Sequence, residues 1–257
     1  MTQAPKICFV TAGGDHPWAM ANALAARFGD GLAIVLEDPE SKRRLVTHRA
    51  RRFGWVNALG QLATMALIRF GKRVQAGKVR RFVEREGLVV TQPGTREFAH
   101  VPSVNDSVFI EAVERIRPDL VVLAGCRMMR ADVLARVPCP VINYHAGVTP
   151  KYRGMNGGYW ALANGDEDLF GSTIHLVDRG VDTGQILAQT LCGLEPGDTI
   201  MTYPYTIAAA SRAALVKAVE DMLSGAASPA APTGESKQWF HPPIWTYLWI
   251  GLSKGVW

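Results

Sequence analysis

The sequence has little cysteine, and none of it forms a recognisable motif. Four cysteines occur in 257 residues, at positions 8, 126, 139 and 192, without a CxxC pair. This spacing is unlike a disulfide framework or a zinc signature. The N-terminal residues lack the charged-then-apolar layout of a signal peptide. We therefore expect reduced thiols, a cytoplasmic protein and no bound metal.

Long hydrophobic runs and a dinucleotide fingerprint are also missing. The longest mostly apolar stretch, residues 55–70, has sixteen residues and includes Asn57, Gln61, Thr64 and Arg69. A membrane-spanning helix needs about 20 apolar residues. The glycine loop at 11–14 follows a strand-like run but lacks GxGxxG, so it is not a dinucleotide-binding signature.

Acidic residues are scarce in one part of the chain. The formal net charge is +5, yet residues 42–85 contain thirteen Lys or Arg and one acid, Glu84. The remainder holds fifteen bases and twenty-two acids. A solvated helical face, an anionic small molecule, an anionic membrane surface and RNA all remain open as explanations of this basic segment.

Apolar runs and helical patterns alternate along the chain. Strands are predicted at 7–11, 32–36, 88–91, 119–124, 141–144, 172–177 and 185–190. Helices are predicted at about 20–28, within 40–86, from 105–107 onward, at 130–137, at 158–164 and at 207–223. Strands that are apolar on both faces indicate a parallel sheet. The expected fold is therefore α/β, with a Rossmann-like, mostly parallel sheet, flanking helices and a short C-terminal Trp-rich tail.

The C-terminal end differs in composition from the rest. Residues 225–236 are rich in Ala, Pro, Gly and Ser, and four of the seven tryptophans follow them. We expect a catalytic domain over 1–225, then a linker and aromatic tail over 226–257. Burial of the tail's rings on the body and an exposed patch for homodimer or membrane-surface contact remain alternatives.

Three polar residues suggest acyl-transfer chemistry. Asn143 and His145 end a buried strand and share one face, and Asp182 follows in a loop marked by Gly180 and Gly184. Ligands bind at the carboxyl ends of strands in open α/β sheets. The amide and imidazolium can donate to an oxyanion while the carboxylate orients the imidazole. No Ser or Cys nucleophile accompanies them, which favours direct transfer. Packing and turn-forming roles fit the same residues.

The stretch from 141 to 189 resembles the catalytic domain of the 10-formyltetrahydrofolate-dependent formyltransferases. The resemblance lies in Asn143-x-His145, Pro150, Arg153-Gly154 and the loop from Asp178 to Gly184. It covers about residues 119–190 and is weaker over 5–118. The family commonly has Ser two residues after the histidine, where this chain has Gly147.

The resemblance implies roles for individual residues. Asn143, His145 and Asp182 would be catalytic. The co-substrate would be 10-formyltetrahydrofolate, bound through residues around Cys126, Arg127, Met128, Met129, Val141, Asp178 and Gly180. The acceptor would contact Gly13, Gly14, Asn105 and Arg153. No metal is implied.

The expected function is formyl transfer to an amine of a small, anionic acceptor. An amino sugar, a nucleotide-linked amine and an amino-acid-derived amine all fit. Initiator tRNA is not expected as acceptor, because only about thirty residues follow the last predicted helix. Hydrolysis of 10-formyltetrahydrofolate, and non-catalytic binding of folate or of a membrane surface, remain alternatives.

Overall fold

A computed structural model describes residues 4–257, except for the side chains of 42–45 and 48. Three bases of the basic segment, Lys42, Arg43 and Arg44, therefore lie outside the described side chains. The strands are β1 (Ile7–Thr11), β2 (Leu32–Glu37), β3 (Glu97–Val101), β4 (Leu120–Ala124), β5 (Val141–His145), β6 (Arg153–Gly154), β7 (Gly171–Leu176), β8 (Ile186–Leu191) and β9 (Gln238–Trp239). The helices are α1 (Asp15–Phe28), α2 (Lys42–Val74), α3 (Ala76–Arg85), α4 (Ser107–Ile116), α5 (Ala131–Leu134), α6 (Gly157–Ala163), α7 (Tyr203–Ser224) and α8 (Ile244–Lys254).

Seven strands form one sheet, in the order β3-β2-β1-β4-β5-β7-β8. The strands from β3 to β5 are parallel, whereas β7 pairs antiparallel with both β5 and β8. The strand order reverses between β1 and β4, and such a switch point opens a crevice at the carboxyl ends of the strands. The predicted mostly parallel α/β sheet is thus confirmed.

Both faces of the parallel strands are buried, which explains their continuous apolar sequences. Ile7 and Phe9 of β1 pack with α1 and α7 on one face. Cys8 and Val10 pack with α4 on the other face. Alternate residues of one strand therefore enter two different core layers.

The predicted strand at 88–91 is wrong. The carbonyls of Val89 and Thr91 accept hydrogen bonds from the Asn22 amide at 3.0 and 2.7 Å, so this run is tied to α1 and not to a neighbouring strand. The third parallel strand is β3, an edge strand with the weakly apolar sequence EFAHV. The helix predicted at 207–223 is α7, but it is not the last helix, because α8 follows in the tail.

Helices fill residues 42–85, as predicted. Gly54 interrupts α2 with a φ of 80° and a ψ of 156°, so the element is two helices joined at this residue. Within the described part of the chain, no helix is both long and apolar enough to cross a membrane.

The C-terminal tail lies against the body of the protein. Its strand β9 pairs in parallel with β6, and Ala230, in the preceding stretch, forms an isolated bridge with Ile186 of β8. The Trp239 ring stacks on Trp160 with centroids 4.5 Å apart. Trp257 packs on Gly251, and the Trp245 ring lies against Gly60 of α2 while remaining 45% exposed. Trp249 faces outward, 70% exposed, so the tail both packs on the body and leaves aromatic surface uncovered.

Candidate active site

Asn143, His145 and Asp182 meet at the carboxyl end of β5. Asn143 Nδ2 donates to Asp182 Oδ1 at 3.2 Å, and His145 Nδ1 lies 3.5 Å from Asp182 Oδ2. The side chains of His145 and Asp182 are 9% and 13% exposed. Two residues that share a face of one strand are thus brought to a carboxylate from a distant loop, as the sequence predicted.

The loop between β7 and β8 holds Asp182 in place. Asp182 has a φ of 50°, an uncommon left-handed conformation for a residue other than glycine. The Gly154 N–H donates to Asp182 Oδ2 at 2.8 Å, and Arg153 Nη1 donates to the Val181 carbonyl at 2.7 Å. Asp178 accepts from the Gly180 N–H at 2.9 Å. These bonds fix the carboxylate before any ligand binds.

The environment keeps Asp182 ionised. Burial works to raise its pKa. The positive charge of His145, a hydrogen bond with His175 and the Gly154 N–H outweigh that effect and hold the pKa well below its usual range. A fixed negative charge therefore sits beside both histidines at neutral pH.

The hydrogen bonds of His145 decide which nitrogen is available for chemistry. Its Nε2 donates to the Tyr152 carbonyl at 2.7 Å, because a carbonyl can only accept. Nε2 is therefore occupied in a buried contact. Nδ1 faces Asp182, and a proton there would make the ring an imidazolium paired with the carboxylate.

A second histidine completes the cluster, and the sequence analysis missed it. His175 Nδ1 donates to the Leu176 carbonyl at 2.8 Å, while Nε2 lies 3.2 Å from Asn143 Nδ2. In the antiparallel register of β5 and β7, His175 is directly opposite Asn143. The alternating pattern of β7 could have placed it there, but the sequence alone does not fix which strand pairs with β5.

A cavity of about 670 Å³ opens onto these side chains. It is lined by several of the predicted co-substrate residues, namely Cys126, Arg127, Met128, Met129, Asp178 and Gly180. Burial, followed by the charge of Glu37, raises the pKa of Cys126 to about 12, so its thiol stays neutral. A volume of this size suits a small-molecule ligand.

Arg127 and Asn105 support the cavity loop from behind. Arg127 Nη1 lies 3.1 Å from Oε2 of the buried Glu37 and also donates to the Pro102 carbonyl at 2.9 Å. Asn105 Nδ2 donates to the Met128 carbonyl at 2.9 Å. Asn105 is thus a positioning residue behind the loop and not part of the cavity wall where we expected it. Glu37 was not identified from the sequence.

Four other predicted binding residues also lie off the cavity wall. Val141 is buried in the core layer that contains α4, because its position on β5 faces away from the cavity. Arg153 is bonded to the backbone of the Asp182 loop, as described above, while its neighbour Gly154 lines the cavity. Gly13 and Gly14 precede α1, and the cavity is reached instead by His16 of that helix.

The tail supplies one wall of the cavity. Gln238, Trp239 and Phe240 line it, and Arg52 of α2 places its guanidinium 4.7 Å from the Phe240 ring centroid. The sequence analysis assigned no site residue to the tail or to α2. The Trp-rich composition was the available signal, but it does not reveal where the rings pack.

Gly147 leaves room for the His145 ring. A Cβ at this position would lie 2.5 Å from the Tyr152 carbonyl oxygen and 2.6 Å from His145 Nε2. A side chain of any kind at this position would therefore collide with the present arrangement. We expect Gly147→Ala to lower the free energy of unfolding by about 1–3 kcal/mol, as overpacking does. Activity should fall at least about tenfold, since His145 must move.

Urea denaturation and steady-state kinetics would check this prediction. Gly193→Ala is the matched control, because a Cβ there meets nothing within 4 Å. A Gly147→Ala protein as stable and active as the Gly193→Ala protein would show that the 147 position is not constrained by His145.

His241 makes the tail contact sensitive to acid. Burial, followed by the charge of Arg49, lowers its pKa from 6.5 to about 4, and its Nδ1 accepts from Asn156 Nδ2 at 2.8 Å. The folded state therefore binds this proton more weakly than the unfolded state. Stability should be lost as pH falls from about 6.5 to about 4, by at most about 3 kcal/mol from this group. The free energy of unfolding, measured at several pH values, should decline less steeply for His241→Gln than for the unaltered protein.

The arrangement combines hydrogen-bond donors with one fixed carboxylate. An amide, two imidazoles and Asp182 meet on one side of the cavity, and among the described residues no serine or cysteine is hydrogen-bonded to them. Such a set can stabilise negative charge on a carbonyl oxygen and accept a proton from an attacking amine. Among the described residues, no group of three or more His, Cys, Asp or Glu side chains is arranged to hold a metal ion.

Comparison with known proteins gives one family. The family model described as formyl transferase matches residues 67–219, more than half of the chain. A methionyl-tRNA formyltransferase of Thermodesulfovibrio yellowstonii is 29% identical over 166 residues, which is 64% of this chain and 51% of the relative. One from an Anaeromyxobacter species is 34% identical over 152 residues, 56% of this chain and 48% of the relative. The chain spans about half the length of these relatives.

Solved structures share the fold. A sugar N-formyltransferase from Shewanella superposes with a TM-score of 0.57 at 14% identity, covering 92% of this chain and 76% of that one. Glycinamide ribonucleotide transformylase 1 from Symbiobacterium toebii gives 0.56 at 21% identity, covering 88% and 90%. Sequence and fold agree, and the chain belongs to the formyl transferase family.

Proposed function

We propose that the protein transfers a formyl group from 10-formyltetrahydrofolate to the amine of a small, anionic acceptor. One observation carries the proposal: Asn143 and His145 lie 3.2 and 3.5 Å from the Asp182 carboxylate at the carboxyl end of β5, beside a cavity of about 670 Å³. This is the donor and carboxylate set that direct acyl transfer requires.

Each residue of the set has a definite task in this proposal. Asn143 donates an amide hydrogen to the formyl oxygen as negative charge develops on it. His145 adds a second donor through an Nδ1–H that it shares with Asp182 Oδ2, 3.5 Å away. The amine nitrogen bonds to the formyl carbon, and Asp182 relays the amine proton through water to N10, whose bond to that carbon breaks as tetrahydrofolate leaves. His175 fixes the Asn143 amide from the opposite side.

The cavity offers features suited to a folate. The loop from Gly125 to Met129 presents backbone groups, since the Arg127 side chain and Asn105 are engaged behind it. The Tyr159 hydroxyl is buried in the wall and has no hydrogen-bond partner among the described residues. When bound, the folate supplies an electrophilic formyl carbon. The residues of this loop, including the half-exposed Met128, would hold the ring system of the folate.

A positively charged wall favours an anionic acceptor. Arg52 lines the cavity and makes no ion pair with any described carboxylate, so its charge is available to a ligand. A sugar nucleotide or a phosphorylated amine carries the complementary charge. The names of the relatives make glycinamide ribonucleotide, amino sugars and methionyl-tRNA the acceptors to compare first.

The test is incubation of the full chain with 10-formyltetrahydrofolate and a panel of amines. The panel holds nucleotide-linked amino sugars, glycinamide ribonucleotide and methionyl-tRNA, and the formylated product is identified by mass spectrometry. Turnover that depends on a small anionic amine is the expected result. Formylation of methionyl-tRNA alone would refute the acceptor class while keeping the transfer chemistry.

Two other outcomes would overturn the proposal. Release of formate without any amine would identify a hydrolase, since water can take the place of the amine. Binding of the folate without turnover of any acceptor would indicate a binding protein. The intact set of Asn143, His145 and Asp182 argues against pure binding, because binding alone does not need a buried, ionised carboxylate.

A further inference from the structure

One helix of the protein has its hydrophobic pattern turned outward. After Gly54, α2 exposes Trp55, Val56, Leu59, Leu67, Phe70 and Val74, at the spacing of a single helical stripe. Its inward face carries Ala58, Gln61 and Thr64, all buried, and Ile68 packs against the core. An ordinary surface helix keeps its large apolar residues on the inward face. Trp55 is 62% exposed and Phe70 64%, so the apolar stripe is not covered by the rest of the chain.

Helix α8 continues the same surface. Four apolar side chains of α8 are exposed at the spacing i, i+3, i+4 and i+7, namely Trp245, Leu248, Trp249 and Leu252. Trp249 is 70% exposed and Leu252 is 79% exposed. The Trp245 ring lies against Gly60, where a Cβ would come within 2.5 Å of it, so the two helices are in close contact. These ten exposed apolar residues of α2 and α8 together are named the α2–α8 surface. Monomers rarely leave so large an apolar patch uncovered.

The charges around this surface have one sign. The sequence of α2 contains nine Lys or Arg and no Asp or Glu, and α8 also has no acid. Arg51 and Arg52 lie beside one end of the stripe, and Arg69, Lys72 and Arg73 lie beside the other, all exposed. Among the described residues, none of these five bases has a carboxylate within ion-pair distance. Their charges are therefore free to attract an anionic partner.

We infer that the α2–α8 surface docks the protein onto an anionic lipid bilayer. Helices that combine outward Trp, Phe and Leu with Lys and Arg, and that lack acids, lie in the bilayer interface with the apolar side inserted. Each Lys or Arg near an anionic membrane adds about 1 kcal/mol to binding. The bilayer supplies both an apolar layer for the stripe and phosphates for the bases.

A second copy of the chain is a poorer occupant. A two-fold interface places the same patch of each copy against the other. The five bases beside the stripe would then approach those of the partner without an intervening acid, which is destabilising.

Docking in this way places the cavity beside the membrane. Arg52 lines the cavity and lies three residues from Trp55, the first residue of the stripe. An acceptor amine carried on a membrane lipid, or released close to the bilayer, would reach the site over a short distance.

The test is co-sedimentation of the full chain with lipid vesicles. We expect binding to phosphatidylcholine vesicles that contain phosphatidylglycerol, weaker binding to pure phosphatidylcholine, and partial release by salt. The combined variant Arg69→Gln, Lys72→Gln and Arg73→Gln should lower the partition coefficient on the order of 100-fold. Trp249→Gln with Leu252→Gln should lower it at least about tenfold.

Matched controls change similar residues elsewhere. Arg115→Gln with Arg136→Gln removes exposed charge, and Val89→Gln with Leu194→Gln removes exposed apolar groups, all outside the α2–α8 surface. Both controls should bind vesicles like the unaltered protein, and circular dichroism shows whether each variant is folded. Failure of the unaltered protein to bind anionic vesicles, or equal binding by the surface variants and the controls, would overturn the inference. A third outcome would also overturn it. In that outcome the protein does not bind vesicles, forms a dimer in analytical ultracentrifugation, and loses the dimer in the variant Trp249→Gln with Leu252→Gln.

Discussion

His145→Ala should lower kcat/KM for formyl transfer by about 10²–10³, with the protein still folded. That is the usual cost of removing one donor from an oxyanion site. The alanine variant removes the Nδ1 group that faces Asp182 at 3.5 Å, and it leaves the carboxylate without its cationic partner. Asn143→Ala should have an effect of similar size, because it removes the amide donor that lies between Asp182 and His175.

The two substitutions should not be additive. Asn143 and His145 both contact the carboxylate of Asp182, so the double variant should lose little more activity than either single variant. His100→Ala is the matched control, since His100 lies on the edge strand β3 with its side chain 55% exposed. Steady-state kinetics with the acceptor that the amine panel identifies would measure the loss. A His145→Ala protein as active as the His100→Ala protein would refute the catalytic assignment.

Much of the fold can be predicted from the sequence because the parallel strands are buried on both faces and therefore have nearly continuous apolar sequences. The runs at 7–11, 119–124 and 141–144 are mostly apolar, and each forms a strand with side chains in two core layers. The edge strand β3 has no such signal. Its sequence EFAHV is half exposed, while the more apolar run at 88–91 is held by Asn22. Local hydrophobicity therefore predicts a strand at 88–91 and misses β3, because the position of this edge strand is set by its pairing with β2.

The same distinction separates the predicted from the unpredicted parts of the site. Asn143 and His145 could be paired from the sequence because they lie two residues apart at the carboxyl end of one predicted strand, and the family resemblance implied their roles. His175, Glu37 and Trp239 could not, because each reaches the site through a pairing or packing that joins distant parts of the chain. The catalytic sets of α/β enzymes are usually assembled in this way, from several strand ends.

Asp182→Asn should reduce both activity and stability, and the stability effect should depend on pH. The neutral amide cannot pair with an imidazolium or accept the amine proton, so activity should fall by about 10² or more. Breaking a buried charge pair costs about 3 kcal/mol. In the folded protein the carboxyl pKa is held below its unfolded value, so its stabilisation is present above the unfolded pKa of about 3.9. This stabilisation is lost as the pH falls through the lower pKa that the Asp182 carboxyl has in the folded protein.

The difference between the unaltered protein and Asp182→Asn is the informative quantity. The free energy of unfolding, measured in urea, should differ most at neutral pH, and the gap should narrow below about pH 4. Asp168→Asn is the control, because Asp168 is exposed and makes no ion pair among the described residues. The free energies of unfolding of Asp168→Asn and of the unaltered protein should differ little at every pH. A gap for Asp182→Asn that is independent of pH would mean that its effect comes from packing, and that the ionised carboxylate is not what holds His145 and Gly154 together.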